Sequence, residues 1–285
     1  MALQKIGIVG CGLMGSGIAE AAIRSGYPTT VREMTPDLVE KGRSRIQKIM
    51  GAAIAKGKLA APEREAALSR LMLTTRVEEL ADCDLVIEAA TEDPQTKKQL
   101  FASLDRICKP ATILASNTSS IPIIELAATT QRPDRVVGLH FFNPVPVMKL
   151  VEVIRTIRTS DEILASACAF AESLGKRPIM AKDRAGFIVN VLLVPYLLDA
   201  VRLVEQGVTT KEDVDEGMRL GCGHPMGPLQ LVDFIGIDTM CQIAEILFEE
   251  FKEPRYSAPT LLKQMKIAGL NGCKSGRGFY DYEAR

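Results

Sequence analysis

The alternation of apolar and polar positions changes character once along the chain. In the first part, short apolar runs recur at intervals: Ile6-Gly7-Ile8-Val9, Thr29-Thr30-Val31, Met72-Leu73-Thr74, Leu85-Val86-Ile87, Thr112-Ile113-Leu114-Ala115, Arg135-Val136-Val137-Gly138-Leu139 and Leu150-Val151-Glu152-Val153. Each has the length and β-branched content of a buried strand. Between them lie stretches with helical spacing, such as Met14 to Ser25 and Thr96 to Ile107. This order predicts an α/β domain, a doubly wound parallel sheet with helices on both faces. Residues 35–70 interrupt it: they are too long a stretch for one crossover helix and are rich in Ala, Glu, Lys and Arg. Two helices turning near Gly57 to Pro62 are expected, forming either a packed decoration or an arm that reaches a large substrate. After Asp183 the strand signals stop. Helical patterns run over Phe187 to Glu205, Thr210 to Leu220, Gly227 to Phe251 and Ala258 to Gly269. Residues 1–183 and 184–285 are therefore expected to form separate domains, the second all-helical.

The first candidate chemistry lies at the first strand's end, where Gly10-Cys11-Gly12-Leu13-Met14-Gly15 forms a G-x-G-x-x-G between a strand and a helix. Gly10 permits a tight turn, Gly12 lets backbone approach a pyrophosphate, and Gly15 lets helix and strand pack closely. The helix N-terminus, opened by Leu13 and Met14, offers unpaired N–H donors to an anion. Glu33 ends the second strand and would accept hydrogen bonds from a ribose 2′-hydroxyl while repelling a 2′-phosphate, which selects NAD over NADP. Its neighbour Arg32 is a cation able to pair with that phosphate. FAD and S-adenosylmethionine remain open as other occupants of such a loop. The domain is thus read as Rossmann-type with a helical-hairpin insertion.

The second candidate is His140 in Gly138-Leu139-His140-Phe141-Phe142-Asn143-Pro144, one of two histidines in the chain. It ends a strand on the edge where doubly wound folds bind ligands. Glu152 lies in the next strand, where a buried carboxylate requires a partner. A carboxylate on one ring nitrogen fixes the tautomer and leaves the other as a general base. Ser116-Asn117-Thr118-Ser119-Ser120 ends another strand at the same edge and is dense in hydroxyl and amide groups, although a plain helix cap would read the same way. Asn190, in Gly186-Phe187-Ile188-Val189-Asn190, opens the first helix of the second domain. A glycine at that point would admit a ligand between domains.

Composition narrows the classes of function. With 35 basic and 35 acidic side chains the net charge is zero, which argues against nucleic acid as the main partner. No apolar run approaches the roughly 18–20 residues of a membrane helix. The N-terminus runs directly into a strand, so no signal peptide and a cytoplasmic location are expected. Seven cysteines without a C-x-x-C pair are expected to be buried, reduced thiols, and the presence of only two histidines argues against a zinc site on ligand count.

Taken together, G-C-G-L-M-G-S-G-I-A from Gly10, E-A-A-T-E-D from Glu88, S-N-T-S-S from Ser116, G-L-H-F-F-N-P-V-P from Gly138, L-V-E-V from Leu150, G-F-I-V-N from Gly186, H-P-M-G-P-L from His224 and G-C-K-S-G-R-G-F-Y from Gly272 resemble the L-3-hydroxyacyl-CoA dehydrogenase family, and within it the bacterial 3-hydroxybutyryl-CoA dehydrogenases. The resemblance spans essentially the whole chain, in order. It implies reversible oxidation of an (S)-3-hydroxyacyl-CoA by NAD, in fatty acid or butanoate metabolism. It makes His140 the base, Glu152 its orienting partner, Ser119 a hydrogen-bond donor to the substrate oxygen and Asn190 a support for the substrate carbonyl. It places Glu92, Lys97, Asn117, Asn143 and Lys274 with Gly10, Gly12, Leu13, Met14, Gly15 and Glu33 at the cofactor, and Lys56, in the helical arm, at coenzyme A. It also implies a homodimer built through the helical domain, consistent with the apolar density of Val191-Leu192-Leu193-Val194 and Tyr196-Leu197-Leu198. Two positions depart from the family pattern: Ala185 stands for a proline and Val191 for an arginine. His224 is expected to shape a turn. The alternatives are a dehydrogenase of a free hydroxy or sugar acid, and a non-enzymatic NADH-binding protein.

Overall fold

The computed structural model describes residues 3–282 and divides into two compact units, one ending at Arg184 and one beginning at Ala185. The first contains β1 (Ile6–Val9), α1 (Leu13–Arg24), β2 (Thr29–Arg32), α2 (Pro36–Ala55), α3 (Ala61–Leu68), β3 (Leu71–Thr74), β4 (Leu85–Glu88), α4 (Pro94–Ile107), β5 (Ile113–Ser116), α5 (Ile123–Ala127), β6 (Val136–Phe141), β7 (Leu150–Arg155), α6 (Asp161–Ser173) and β8 (Arg177–Lys182). The strands form one eight-stranded sheet in the order β3-β2-β1-β4-β5-β6-β7-β8. β1 to β6 are parallel, in the doubly wound 3-2-1-4-5-6 order.

The sheet is not wholly parallel, which corrects the sequence-based expectation. β7 returns antiparallel to β6, and β8 then pairs parallel to β7. Residues 142–149 join β6 and β7 directly, so no crossover helix forces the parallel sense there. β8 gives little hydrophobic warning: its Pro178 and mostly exposed or half-buried side chains suit the sheet edge it occupies.

The central strands are buried along their whole length, and Ile6, Ile8, Ile87, Ile113 and Leu139 share one buried cluster with Ile18 and Ile23 of α1. The interrupting stretch 35–70 does form two helices. Thr35 caps α2, its side chain accepting from the Leu38 amide at 3.3 Å, with Pro36 in the first turn. α2 is not merely a projection: it buries Val39, Gly42, Ile46 and Met50, one stripe at helical spacing. A Cβ on Gly42 would lie 2.6 Å from the Cys11 sulfur, so a helix with any other residue there could not sit this close to the glycine loop.

The second unit is helical: α7 (Val189–Glu205), α8 (Lys211–Cys222), α9 (Pro228–Ile235), α10 (Ile237–Phe251) and α11 (Thr260–Ile267). Its core gathers Leu197, Leu198, Val201, Val232, Ala244 and Leu247 with the fully buried ring of Tyr256. The expected single helix over 227–251 is two, because Gly236 takes φ +102° and ends α9 before α10 begins. α7 starts two residues later than its apolar run, since Phe187 adopts φ +47°. The segment after α11 is held by Asp233, whose carboxylate accepts from the backbone N–H of Phe279 and Tyr280 and the hydroxyl of Tyr282, each at 2.9–3.0 Å. Among the described residues, no helix is long and apolar enough to cross a membrane. The cysteines are all unpaired. Four are buried and Cys168 is half-buried, but Cys222 and Cys273 are exposed, contrary to the expectation of seven buried thiols.

Candidate active site

Three groups at the carboxyl edge of the sheet of the first unit hold most of the candidate residues. The glycine loop comes first. Gly10 adopts φ +93°, and a Cβ there would meet backbone of Ala89 and Ala90 at 2.7–2.9 Å, so only glycine fits. A Cβ on Gly15 would fall 1.9 Å from the Gly10 carbonyl oxygen. Gly12 is different: nothing lies within 4 Å of its added Cβ, which leaves open space over the loop backbone. The start of α1 has no side-chain cap and no acidic residue in its first turn, whereas α2, α4 and α6 are each capped by a side chain. An uncapped N-terminus below open space is a seat for phosphate, and these residues fit the pyrophosphate of a dinucleotide. The Glu33 carboxylate accepts from the Cys11 amide at 2.5 Å and the Met34 amide at 3.1 Å, which fixes it beside the loop. Burial pushes the Cys11 thiol up to about 12, with the Glu33 charge adding to the effect, so the thiol stays protonated and inert.

The second group is a charged cluster joining the ends of β4 and β5 to the start of α4. Glu88 ends β4 fully buried and Lys97 lies one turn into α4, also buried; the ammonium meets both Glu88 oxygens at 2.7 Å and Glu92 at 3.2 Å. Ser116 Oγ donates to Glu88 at 2.6 Å. Glu92 Oε1 in turn accepts from Thr118 Oγ1 at 2.5 Å, the Ser119 amide at 3.0 Å and Ser120 Oγ at 3.1 Å. Burial works against the ionised form of Glu92, but the Lys97 charge and the Thr118 and Ser119 donors outweigh it and hold the carboxyl below its ordinary range. The cluster therefore fixes the backbone that presents Ser119. Asn117 does similar work: its Oδ1 accepts from the Phe141 amide at 2.9 Å and ties the end of β5 to the end of β6.

The third group is the histidine pair. The antiparallel register sets His140 on β6 opposite Glu152 on β7, and Nδ1 lies 2.6 Å from Glu152 Oε2. Both are buried, and the Phe142 ring packs on the imidazole with centroids 4.5 Å apart. With Nδ1 committed to the carboxylate, Nε2 is the nitrogen able to exchange a proton with a substrate. Asn143 follows on the exposed loop, joined to Pro144 by a cis peptide.

The structure thus places Glu92, Lys97, Asn117, Ser119, His140 and Glu152 on or just after four neighbouring strands, β4 to β7. Lys56 is apart from them, exposed at the carboxyl end of α2. Asn190 lies in the first turn of α7, after Gly186 at φ +74°. Lys274 belongs to the second unit, where its ammonium meets Asp238 at 2.9 Å and Thr239 at 2.6 Å. His224 follows Gly223, which is left-handed at φ +68°, so it does sit at a turn, with Nδ1 3.2 Å from the Tyr196 hydroxyl. Glu88 has no role among the sequence-based expectations, although an acidic residue ending the apolar run Leu85-Val86-Ile87 is a signal that it needs a buried partner.

Comparison with known proteins gives this geometry its context. Residues 5–184 match the family model for the 3-hydroxyacyl-CoA dehydrogenase NAD binding domain, and residues 186–282 match the model for the 3-hydroxyacyl-CoA dehydrogenase C-terminal domain. The chain is 52% identical over 283 residues to a 3-hydroxybutyryl-CoA dehydrogenase of Mycobacterium tuberculosis, covering 99% of each. It superposes on the (S)-3-hydroxybutyryl-CoA dehydrogenase of Ralstonia eutropha with a TM-score of 0.94 at 43% identity, over 99% of this chain and 100% of that one. The mitochondrial hydroxyacyl-coenzyme A dehydrogenase of Homo sapiens is 41% identical over 289 residues, covering 99% of this chain and 92% of that protein. On these matches, and with the glycine loop, the buried His–Glu pair and the helical second unit in place, the chain belongs to the 3-hydroxyacyl-CoA dehydrogenase family.

Proposed function

We propose that the protein interconverts (S)-3-hydroxybutyryl-CoA and acetoacetyl-CoA with NAD as the redox partner. His140 Nε2 takes the C3 hydroxyl proton in the oxidation and returns it in the reduction. Glu152 holds Nδ1, keeps the ring in one tautomer and balances the imidazolium that forms. Ser119 donates to the reacting oxygen from a backbone fixed by Glu92. Asn190 supports the thioester carbonyl. Gly10, Gly12, Leu13, Met14 and Gly15 would cradle the pyrophosphate, and Glu33 the adenosine ribose. Glu92, Lys97, Asn117, Asn143 and Lys274 are assigned to the rest of the dinucleotide. When bound, NAD supplies the hydride acceptor at its nicotinamide ring. Lys56 is assigned to the phosphates of coenzyme A.

The observation that carries this reading is the 2.6 Å contact between His140 and Glu152 at the carboxyl edge of a sheet whose first loop is an uncapped glycine cradle. General-base catalysis of this kind contributes about 10²–10⁴-fold. We place the enzyme in the cytoplasm and read it as a homodimer, the dimer supported by the large apolar side chains that the second unit leaves exposed, among them Leu192, Val208 and Leu220. The test is NADH oxidation with acetoacetyl-CoA, run beside NADPH, beside a longer 3-ketoacyl-CoA and in the presence of free coenzyme A. Turnover with the short thioester and inhibition by coenzyme A are expected. NADH binding without turnover of any thioester would instead point to a free hydroxy acid substrate.

A further inference from the structure

The glycine loop carries a contact that the proposed chemistry does not use. Arg45, on α2, donates from Nη1 to the carbonyl oxygen of Cys11 at 3.2 Å. The amide of the same Cys11 donates to Glu33 at 2.5 Å. One residue of the loop is therefore held by an acid on one side of its backbone and by a base on the other. No ion pair between Glu33 and Arg45 closes this arrangement among those found in the described residues. Both charges nevertheless act on the Cys11 thiol between them, in opposite senses. Gly42, three residues before Arg45 on the same helix, packs on the Cys11 side chain and fixes α2 at this distance.

Arg32 is the neighbour of Glu33 in sequence but not in direction. The β2 ladder continues through Glu33, whose amide donates to the Thr74 carbonyl at 2.9 Å. Successive strand residues point to opposite faces. Arg32 and Glu33 accordingly leave the strand on opposite faces, and Arg32 Nε donates to the carbonyl of Thr75, just beyond β3. The guanidinium that shares the glycine loop with Glu33 comes from the helical insertion.

We propose that Arg45 is a latent ligand for a ribose 2′-phosphate, kept out of use by the charge of Glu33 on the same loop residue. The inference rests on the reading that the loop takes a dinucleotide. With Glu33 present, its charge repels a 2′-phosphate and accepts hydroxyl donors in its place. With Glu33 neutral, an exposed guanidinium one residue's backbone away offers a planar fork to a dianionic oxygen set.

The experiment measures dissociation constants for NADH and NADPH from the fluorescence of the reduced nicotinamide, with 2′-AMP and 5′-AMP as competitors. The proteins are wild type, Glu33→Ser, Glu33→Gln, Glu33→Ser with Arg45→Ala, and Glu33→Ser with Arg32→Ala, each checked for folding by circular dichroism. Glu33→Ser, or Glu33→Gln if the serine variant does not fold, is expected to improve NADPH relative to NADH by about tenfold, the scale of a charge-assisted hydrogen-bond pair. Adding Arg45→Ala should remove that gain, and adding Arg32→Ala should leave it. 2′-AMP should displace NADPH better than 5′-AMP only where Arg45 is present. The inference is overturned if the gain survives Arg45→Ala, if Arg32→Ala alone removes it, or if neither Glu33 variant gains NADPH affinity while still binding NADH. A wild-type protein that binds neither dinucleotide overturns the underlying reading and this inference with it.

Discussion

Replacing Glu152 with glutamine tests the site without emptying it. The amide has nearly the volume of the carboxylate and can still accept from Nδ1–H, so packing and tautomer are kept while the charge is lost. Glu152 is fully buried and lies 2.6 Å from Nδ1. The centres of charge in a carboxylate–imidazolium pair at that contact are about 4 Å apart, worth about 4 kcal/mol at an effective dielectric constant of about 20. That energy applies only once the ring has taken up the substrate proton, so it bears on the transition state and not on the resting enzyme. At about 1.4 kcal/mol per decade the expected loss in kcat is roughly 10²–10³-fold, allowing for partial compensation by the amide dipole. The assay is steady-state oxidation of 3-hydroxybutyryl-CoA, paired with NADH binding by fluorescence. Binding should stay within about twofold, because the cradle lies on other strands. A variant that retained kcat within about threefold of wild type would refute the reasoning, since the buried charge would then contribute nothing to proton uptake.

Four further outcomes follow from the same geometry. His140→Gln is expected to abolish turnover while leaving NADH affinity nearly unchanged; measurable steady-state activity near the wild-type rate would remove His140 as the base. Lys97→Met leaves Glu88 buried without its cation and should cost about 3–5 kcal/mol in urea unfolding, most of which Glu88→Gln in the same chain should restore. Glu92 has a folded-state pKa below its ordinary 4.5, so its contribution to stability is complete above that value and is lost as pH falls through the folded pKa; the melting-temperature gap between wild type and Glu92→Gln should hold steady above pH 4.5 and shrink as the pH is lowered below it. Burial pushes Cys11 and Cys83 up to about 12 and Cys108 to about 11, so at pH 8 a disulfide reagent should modify the exposed Cys222 and Cys273 and reach those three only after denaturation.

Much of this arrangement is local in the sequence and therefore readable there. The parallel strands are apolar runs of the right length, the glycine loop is six adjacent residues, and the domain change near Asp183 is a change of period. His140 and Glu152 are twelve residues apart on consecutive strands, so their pairing follows once both are placed at the sheet. What escaped reading depends on relations that one-dimensional patterns do not carry. The sense of β7 is decided by the absence of a helix in 142–149, which looks like an ordinary loop. β8 is an edge strand whose stability comes from pairing with β7 and not from its own apolarity. The break at Gly236 needs a positive φ that only tertiary context reveals, because glycine within a helical pattern is otherwise merely tolerated. Glu88 and Lys97 are nine residues apart on a strand and a helix, and nothing in their spacing shows that one ammonium sits against both carboxylate oxygens.

The antiparallel return of β7 also governs how this site can change over evolutionary time. A loop of eight residues, 142–149, sets which residue of β7 faces His140. Were the pairing to slip by one, Glu152 would leave the position opposite His140, and Val151 or Val153 would stand there in its place. A single-residue insertion or deletion here must therefore be absorbed within the loop as an altered turn, or the histidine loses its carboxylate while both residues remain in the chain. Loop length between these two strands is then inherited under the same selection as the two side chains, and lineages that drift in the surrounding surface should hold this spacing fixed.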